Sequence, residues 1–142
     1  MKTINFLMAI LLTLSFMSCN AQKNDKKIDV AALPAVAQEL IKSNFADEQI
    51  KAVEQDNDGY EVKFKGGASI DFNTAGQWKE IDCERNAVPD AVVPQQIKDY
   101  AAKNYADKKI VKIECNSYGY EIELDNGVEI KFDKDFNATI DK

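Results

Sequence analysis

The feature that most constrains the fold of this chain is its similarity to itself at a spacing of 60 residues. At this spacing residues 33–82 align with residues 93–142, and twelve aligned positions are identical where roughly three would agree by chance. The sequence therefore predicts a tandem duplication. The identical pairs are Pro34/Pro94, Asn44/Asn104, Ala46/Ala106, Asp47/Asp107, Ile50/Ile110, Glu54/Glu114, Gly59/Gly119, Tyr60/Tyr120, Glu61/Glu121, Gly67/Gly127, Ile70/Ile130 and Phe72/Phe132.

Each copy opens with a helical pattern and continues with alternating residues. Pro34 and Pro94 suit the first position of a helix, and apolar residues follow them at helical spacing. Tyr60, Val62 and Phe64 then alternate with charged residues, which is typical of half-buried strands. We expect one helix and then four antiparallel strands in each copy, near residues 49–55, 59–65, 68–73 and 77–82 of the first.

These patterns predict an α+β fold of two tandem repeats, each a helix followed by a four-stranded antiparallel meander. The helices are expected to pack on one sheet face, because an amphipathic helix is the nearest cover for the apolar side of its own sheet. Repeat 1 spans residues 33–85, a linker spans 86–92, and repeat 2 spans 93–142. The sequence leaves open whether the two sheets join edge to edge.

The N-terminus has the pattern of an export signal. Lys2 precedes an apolar run that ends at Met17, and this run is shorter than the about 20 residues that a membrane-spanning helix needs. The stretch from Phe16 to Cys19 resembles a bacterial lipobox, which predicts a signal peptide of residues 1–18, lipidation of Cys19 and a tether over 19–32. Alternatively, cleavage after Ala21 removes residues 1–21 and releases a soluble periplasmic protein. We expect an exported protein, either periplasmic or anchored in the outer membrane as a lipoprotein.

Export leaves two interpretations of the remaining cysteines. Cys83 and Cys115 form a disulfide if the strand ends that carry them are neighbours, or they are two buried free thiols. The chain has no His and no Cys-x-x-C pair, so no metal site and no cofactor are expected.

Several function classes lack support in the sequence. A formal net charge of −6 disfavours nucleic acid as a partner, because phosphate binding needs clustered Lys and Arg. Catalytic motifs are absent, so we do not expect an enzyme. The stretch from Asp56 to Gly59 resembles the start of a calcium loop but lacks the Glu at its twelfth position, which favours a simple turn.

The solvent-facing side of the predicted sheet is the better candidate for a function. Mixed charge beside an aromatic side chain is a common composition of protein interfaces. We therefore expect this face to bind an unidentified envelope protein. The alternatives are that the face is exposed to solvent without a binding role, and that Trp78 belongs to the core. Membrane contact is expected only through a lipid on Cys19, and the oligomeric state is not indicated. The predicted binding surface consists of Glu61, Lys63, Asp71, Trp78, Glu121, Glu123 and Lys131, with Lys51 and Glu129 beside it.

Four motifs resemble the PepSY-like, beta-lactamase-inhibitor-like family of exported Bacteroidetes proteins. They are the helix starts Leu33-Pro34 and Val93-Pro94, the Ile-x-x-Val/Ile-Glu strands, the Gly-Tyr-Glu-Val/Ile strands, and Gly-x-x-Ile-x-Phe, with Gly76 to Asp82 as a further match. The chain departs from the family at Ala46, Ala106 and Phe136. The resemblance implies two helix-plus-sheet repeats and binding of a protein partner, for example a hydrolase, on the sheet face. A small ligand or peptide held in the cleft between the repeats is the alternative.

Overall fold

The computed structural model describes residues 25–140 of the chain. It contains two α-helices and nine β-strands, and a short 3₁₀ turn precedes each helix, at Val30–Ala32 and Asp90–Val92. The helices are α1 (Ala35–Asn44) and α2 (Gln95–Asn104). The strands are β1 (Lys26–Lys27), β2 (Ile50–Gln55), β3 (Gly59–Phe64), β4 (Ser69–Asn73), β5 (Trp78–Asp82), β6 (Ile110–Asn116), β7 (Gly119–Leu124), β8 (Glu129–Asp133) and β9 (Ala138–Ile140).

The predicted fold class, an α+β fold of two helix-plus-four-strand repeats, is wrong. The nine strands form a single antiparallel sheet in chain order, with two helices, so the described part of the protein is predominantly β. The two predicted meanders are one sheet because β5 pairs with β6, through Ile81 opposite Ile113. This pairing satisfies the backbone N–H and C=O groups along the facing edges of β5 and β6. In two separate sheets these groups would be left unpaired at open edges.

The first strand lies within the segment expected to be a tether. Lys26 and Lys27 pair with Gln55 and Glu54 of β2, and the backbone N–H of Ile28 donates to the Val53 carbonyl at 3.0 Å. This short strand covers part of the outer edge of β2, and its charged side chains discourage further pairing there. The predicted signal peptide and Cys19 lie outside the described residues.

One face of the sheet carries the hydrophobic core. A row of directly opposed apolar residues crosses β2 to β8, and α1 and α2 cover it with Ala37, Ile41 and Ile97, which belong to the same buried cluster. Alternation along each strand then leaves the charged residues on the other face. The row consists of Val53, Val62, Ile70, Ile81, Ile113, Ile122 and Ile130, and continues to the exposed Ile140 on β9.

The turn between β4 and β5 differs from the turn between β8 and β9. Gly76, between β4 and β5, has φ +82°, and a Cβ atom there would lie 2.6 Å from the Pro34 Cβ at the start of α1. The turn between β8 and β9 instead holds Phe136 at φ +61°, with its ring stacked on Tyr120 at a centroid distance of 5.8 Å. A glycine thus permits close contact with α1 in the first half. The corresponding position in the second half holds an aromatic side chain that packs on Tyr120.

Candidate functional site

The face of the sheet opposite the helices carries an uninterrupted row of carboxylates. Residues directly opposite each other in antiparallel strands lie on the same face, so the strand register brings these side chains together. The row crosses six neighbouring strands, which corresponds to about 24 Å. This acidic row consists of Glu54, Glu61, Asp71, Glu80, Glu114 and Glu121, and its neighbours at the two ends are Lys27 and Lys131.

A second row runs beside the acidic row and contains two lysines that bridge to it. Lys63 Nζ lies 2.8 Å from Glu54 Oε2 and 3.2 Å from Glu61 Oε2. Lys112 Nζ lies 2.8 Å from Glu80 Oε1 and 3.9 Å from Asp82 Oδ2. The members of this second row are Ala52, Lys63, Ser69, Asp82, Lys112, Glu123 and Glu129.

The negative field of this face acts on both lysines. Hydrogen bonds to Glu54 and then to Glu61 raise the pKa of the Lys63 ammonium above its usual value of 10.5. A hydrogen bond to Glu80 raises the pKa of Lys112 in the same way, against the opposing effect of desolvation. Both amines therefore stay charged at neutral pH.

Most of the protein's net charge is located on this surface, which we call the polar face. It comprises the two rows with Lys27 and Lys131, and it holds nine carboxylates and four lysines. The excess of five negative charges compares with a formal net charge of −6 for the whole chain. Like charges directly opposite each other in a sheet destabilise it, by about a few tenths of a kcal/mol per pair, so the acidic row lowers the stability of the fold.

The structure brings six of the seven predicted binding residues onto the polar face. They are Glu61, Lys63, Asp71, Glu121, Glu123 and Lys131. Trp78 is the exception, because a register shift in β5 places it opposite the buried Phe72, on the side of the helices. Its ring lies 6.4 Å from that of Tyr120. Trp78 is therefore not part of the polar face.

Trp78 instead lies at a groove on the helix side. Trp78 and Tyr120 line this groove together with the later part of α1 and residues 91–94, and its volume is about 520 Å³. Desolvation raises the pKa of the Tyr120 hydroxyl, with smaller effects from the adjacent Cys115. The groove separates the first helix from the segment that leads into the second.

The cysteines do not meet. Cys83 is a buried free thiol and Cys115 is a half-buried one. The Cys83 N–H donates to the Val111 carbonyl at 2.9 Å, which places Cys115 four residues further along β6. Four strand residues span about 13 Å, whereas a disulfide requires Cα atoms less than about 7 Å apart. Both cysteines are therefore free thiols rather than a disulfide. Burial raises the pKa of the Cys83 thiol to about 11.

The residues that resemble a calcium loop form a turn. Asp56 Oδ1 accepts hydrogen bonds from the N–H groups of Asp58 and Gly59, at 2.8 and 2.9 Å. Asn116 accepts from Tyr118 and Gly119 in the corresponding turn of the second half. Among residues 25–140, no three His, Cys, Asp or Glu side chains are grouped so that they could hold a metal ion.

Sequence reasoning missed part of the polar face. Glu54 and Glu80 each adjoin a core residue, Val53 and Ile81, in a strand. Because successive strand side chains point to opposite faces, the sequence alone could have placed both glutamates on the polar side. The sequence contains no signal that brings Glu80 next to Glu114, because that contact depends on the pairing of β5 with β6. The missed charged residues are Lys27, Glu54, Glu80, Asp82, Lys112 and Glu114.

The sequence matches a protein family along most of its length. The family is described as "Putative beta-lactamase-inhibitor-like, PepSY-like", and the matches cover residues 18–69 and 58–139. The chain belongs to the PepSY-like family. Among curated proteins, none matches it.

Three crystal structures from Bacteroides are similar to this chain. A "putative periplasmic protein from DUF2874 family" of Bacteroides vulgatus is 44% identical, with a TM-score of 0.81 over 84% of this chain and 98% of that one. A "putative calcium-regulated periplasmic protein" of Bacteroides thetaiotaomicron is 39% identical, with a TM-score of 0.79 over 83% and 97%. A "putative periplasmic protein of unknown function" of B. vulgatus is 36% identical, with a TM-score of 0.77 over 83% and 99%.

These similarities support an exported, periplasmic location for this PepSY-like protein, in agreement with the N-terminal sequence. Within residues 25–140, neither helix has the length and apolar content that crossing a membrane requires.

Proposed function

We propose that this PepSY-like protein is a non-enzymatic binding module of the cell envelope that holds a basic region of another envelope protein against its polar face. The observation that carries the proposal is the acidic row, in which six carboxylates lie side by side on six strands. A partner of opposite charge would relieve the repulsion within this row. Its binding would therefore regain free energy that the isolated fold loses.

The shape and burial of the face support the same role. The six carboxylates are half-buried, so their positions are restrained by the sheet and by their neighbours. Ordered charges lose less conformational entropy on binding than freely moving ones. A broad row of restrained carboxylates suits a surface rich in Lys or Arg better than it suits a small neutral ligand.

Affinity capture with charge-reversed variants tests this function. The protein from Gln22 onward is immobilised and exposed to an envelope extract of its source cells. The double variant Glu61→Lys/Glu121→Lys, which reverses two charges of the acidic row, should retain at most a tenth of the captured partner, which corresponds to a loss of about 1.4 kcal/mol or more.

The matched control is Asp125→Lys/Asp135→Lys. It makes the same change in net charge at two exposed turn residues outside the polar face. Lysine also suits position 125, since Lys65 occupies the position 60 residues earlier. The control should capture the partner as the unchanged protein does. Equal capture by both double variants would refute binding through the polar face.

The groove beside Trp78 supports a second candidate function, the binding of a small ligand or peptide. Two half-buried aromatic rings, Trp78 and Tyr120, line a groove of about 520 Å³ between α1 and residues 91–94. Aromatic surfaces that are open to solvent suit sugars and apolar peptide side chains.

Trp78 itself reports on this candidate, because it is the only tryptophan of the chain. Its fluorescence should change on titration with peptides or glycans if the groove binds them, and Leu40→Ser should reduce the response. A spectrum that stays constant across such ligands would exclude this function.

We also propose that the protein is attached to the membrane by a lipid on Cys19. The lipobox-like sequence before this residue supports the attachment, and cleavage after Ala21 is the alternative. Cells given labelled palmitate should label the unchanged protein and leave Cys19→Ala unlabelled. A protein whose mature form begins at Gln22 would exclude the anchor.

A further inference from the structure

The outer edge of β2 is covered in the way that the corresponding edge of β6 is covered. β6 is the counterpart of β2, 60 residues later, and it pairs at this edge with β5, the last strand of the first half. In the first half β1 takes that place. Lys27 lies opposite Glu54 in the same register in which Glu80 lies opposite Glu114. The start of the fold thus imitates the end of a preceding repeat.

The residue that follows β1 extends this match to the core side of the sheet. The N–H of Ile28 donates to the Val53 carbonyl at 3.0 Å, and its half-buried side chain packs against the core cluster. In the second half Ile81 takes this position, opposite Ile113. Residues 26–28 therefore pair with β2 in the register in which β5 pairs with β6.

The other end of the sheet is a strand whose outer edge is not covered by residues 25–140. β9 is the last strand of the sheet and pairs with β8, with Ile140 opposite Ile130. Ile81 has the corresponding position in β5, opposite Ile70. Ile81 is fully buried, whereas Ile140 is 44% exposed. β9 thus presents an open edge and an apolar side chain, both of which its counterpart β5 buries against β6.

The backbone of β9 directs a donor out of this open edge. Hydrogen-bonded and non-hydrogen-bonded pairs alternate between antiparallel strands, and the Asp133 N–H donates to the Asn137 carbonyl at 3.1 Å. Three residues after Asn137, Ile140 is therefore in a non-hydrogen-bonded pair with Ile130, and its N–H points away from β8. The donor that Ile28 directs to β2 has its equivalent here.

We propose that β1 is a cap and that the β2 edge beneath it is an interface for β9 of a second copy of this chain. When β1 leaves, Ile140 of the second copy lies opposite Val53 and replaces Ile28 as the donor to its carbonyl. While β1 is paired, the edge is closed and the protein stays monomeric. The proposal concerns the two ends of the sheet and does not depend on partner binding by the polar face.

The side chains on the polar side favour this interface. Thr139 lies opposite Lys131 and is therefore on the polar side of β9, where it would face Glu54 of the second copy. At the junction within the chain, Glu80 faces Glu114 at this position. A neutral residue opposite a carboxylate avoids the repulsion between two directly opposed carboxylates. The interface between copies thus lacks an unfavourable contact that the internal junction contains.

The two edges also determine the kind of assembly. Each copy offers one β2 edge and one β9 edge, so their pairing is head-to-tail and continues beyond the dimer. Pairing of β9 with β9 of a second copy would instead give a two-fold dimer, and it would not require β1 to leave. The size of the assembly therefore distinguishes these arrangements.

Ile28→Pro tests the cap in the protein from Gln22 onward, because proline cannot donate to the Val53 carbonyl. In sedimentation velocity at rising protein concentration, the unchanged protein should remain monomeric. The variant should reach about three times the monomer mass or more, since head-to-tail pairing does not end at a dimer. Ile28→Ser keeps the N–H and removes the apolar contact, and it should give the same response in a weaker form if Ile28→Pro does not fold.

Two further variants separate pairing from misfolding. The N–H of Lys27 points away from β2, so Lys27→Pro is the matched control and should remain monomeric. Ile28→Pro/Ile140→Pro also removes the outward donor of β9 and should return the protein to the monomer. Assembly that persists in this double variant would overturn the proposal. So would a folded Ile28→Pro variant that stays monomeric at every concentration, or equal assembly by Lys27→Pro.

Cross-linking tests the register between copies. Thr139→Cys and Glu54→Cys, placed in separate copies that both carry Ile28→Pro, should form a mixed disulfide on oxidation. Residues opposed as Lys27 and Glu54 are have Cα atoms about 4.5 Å apart, which a disulfide can bridge. The same two copies with Ile28 retained should not cross-link in this way. A disulfide that joins two Thr139→Cys copies instead would show pairing of β9 with β9 and refute the assignment.

Discussion

The two halves of the sheet share one strand register but use it differently. In the first half Lys63 forms ion pairs with both Glu54 and Glu61, and Gly76 lets α1 approach the turn between β4 and β5. In the second half Glu123 adds to the negative charge, and Phe136 fills the turn between β8 and β9. The difference teaches that one strand register can place an ammonium group beside an opposed pair of carboxylates in one half and a third carboxylate at the same position in the other.

The largest expected effect tests whether the halves form one cooperative unit. Ile122→Ala removes a fully buried side chain from the core row and should lower the free energy of unfolding by about 3 kcal/mol. Because β5 pairs with β6, denaturation followed by circular dichroism and by Trp78 fluorescence should give one coincident transition.

The matched control for Ile122→Ala is Ile140→Ala, in the same row but 44% exposed at the edge strand. It should cost less than about 1 kcal/mol. Two separate transitions in the Ile122→Ala variant would show that the halves unfold independently.

A smaller effect is expected from Gly76, which allows α1 to lie close to the turn between β4 and β5. Gly76→Ala should cost about 2 kcal/mol, because φ is +82° and the new Cβ would lie 2.6 Å from the Pro34 Cβ. Gly127→Ala is the control, since its φ is +80° but nothing lies within 4 Å of the added atom. It should cost about 1 kcal/mol, from backbone strain alone. Equal losses in urea denaturation would mean that contact with Pro34 does not matter.

The first half should lose stability when the amine of Lys63 is removed. Lys63→Met leaves Glu54 opposite Glu61 and should lower the free energy of unfolding by about 0.5 to 1 kcal/mol at low salt, a modest loss because the site is partly exposed. A Lys63→Met variant as stable as the unchanged protein would argue against this role of Lys63.

The effect of Lys63 should depend on pH in one direction. Its pKa in the folded protein lies above the usual 10.5, so its stabilising effect is complete at lower pH and is lost as the pH rises through the folded value. The difference in unfolding free energy between the unchanged protein and Lys63→Met should therefore decrease above about pH 10.5. A difference that stays constant up to pH 12 would contradict the ion pairs.

The smallest effect concerns reactivity rather than stability. Burial raises the pKa of Cys83 to about 11, so roughly 0.1% of this thiol is ionised at pH 8. Cys115 is half-buried on β6. Iodoacetamide at pH 8, followed by mass spectrometry, should modify Cys115 at least tenfold faster than Cys83. Equal rates would contradict the burial of Cys83.

Much of the local structure follows from sequence patterns. The strands predicted for the first half lie within one residue of β2 to β5. Alternation placed Val62 in the core and Glu61 and Lys63 on the opposite face, because successive strand side chains point to opposite sides. Trp78 could not be placed in this way, since a register shift between β4 and β5 changes the side on which it lies.

The sequence by itself determined the strands, the helices, the turns and which residues of most strands face the core. These properties depend on side-chain alternation and helical spacing, which are local. The tertiary structure alone decided that the two predicted meanders form one sheet and that Lys26 and Lys27 add a strand. Backbone hydrogen bonds between sheet edges have almost no sequence signature. Since the contact between Glu80 and Glu114 depends on those bonds, the continuous acidic row became visible only in the folded protein.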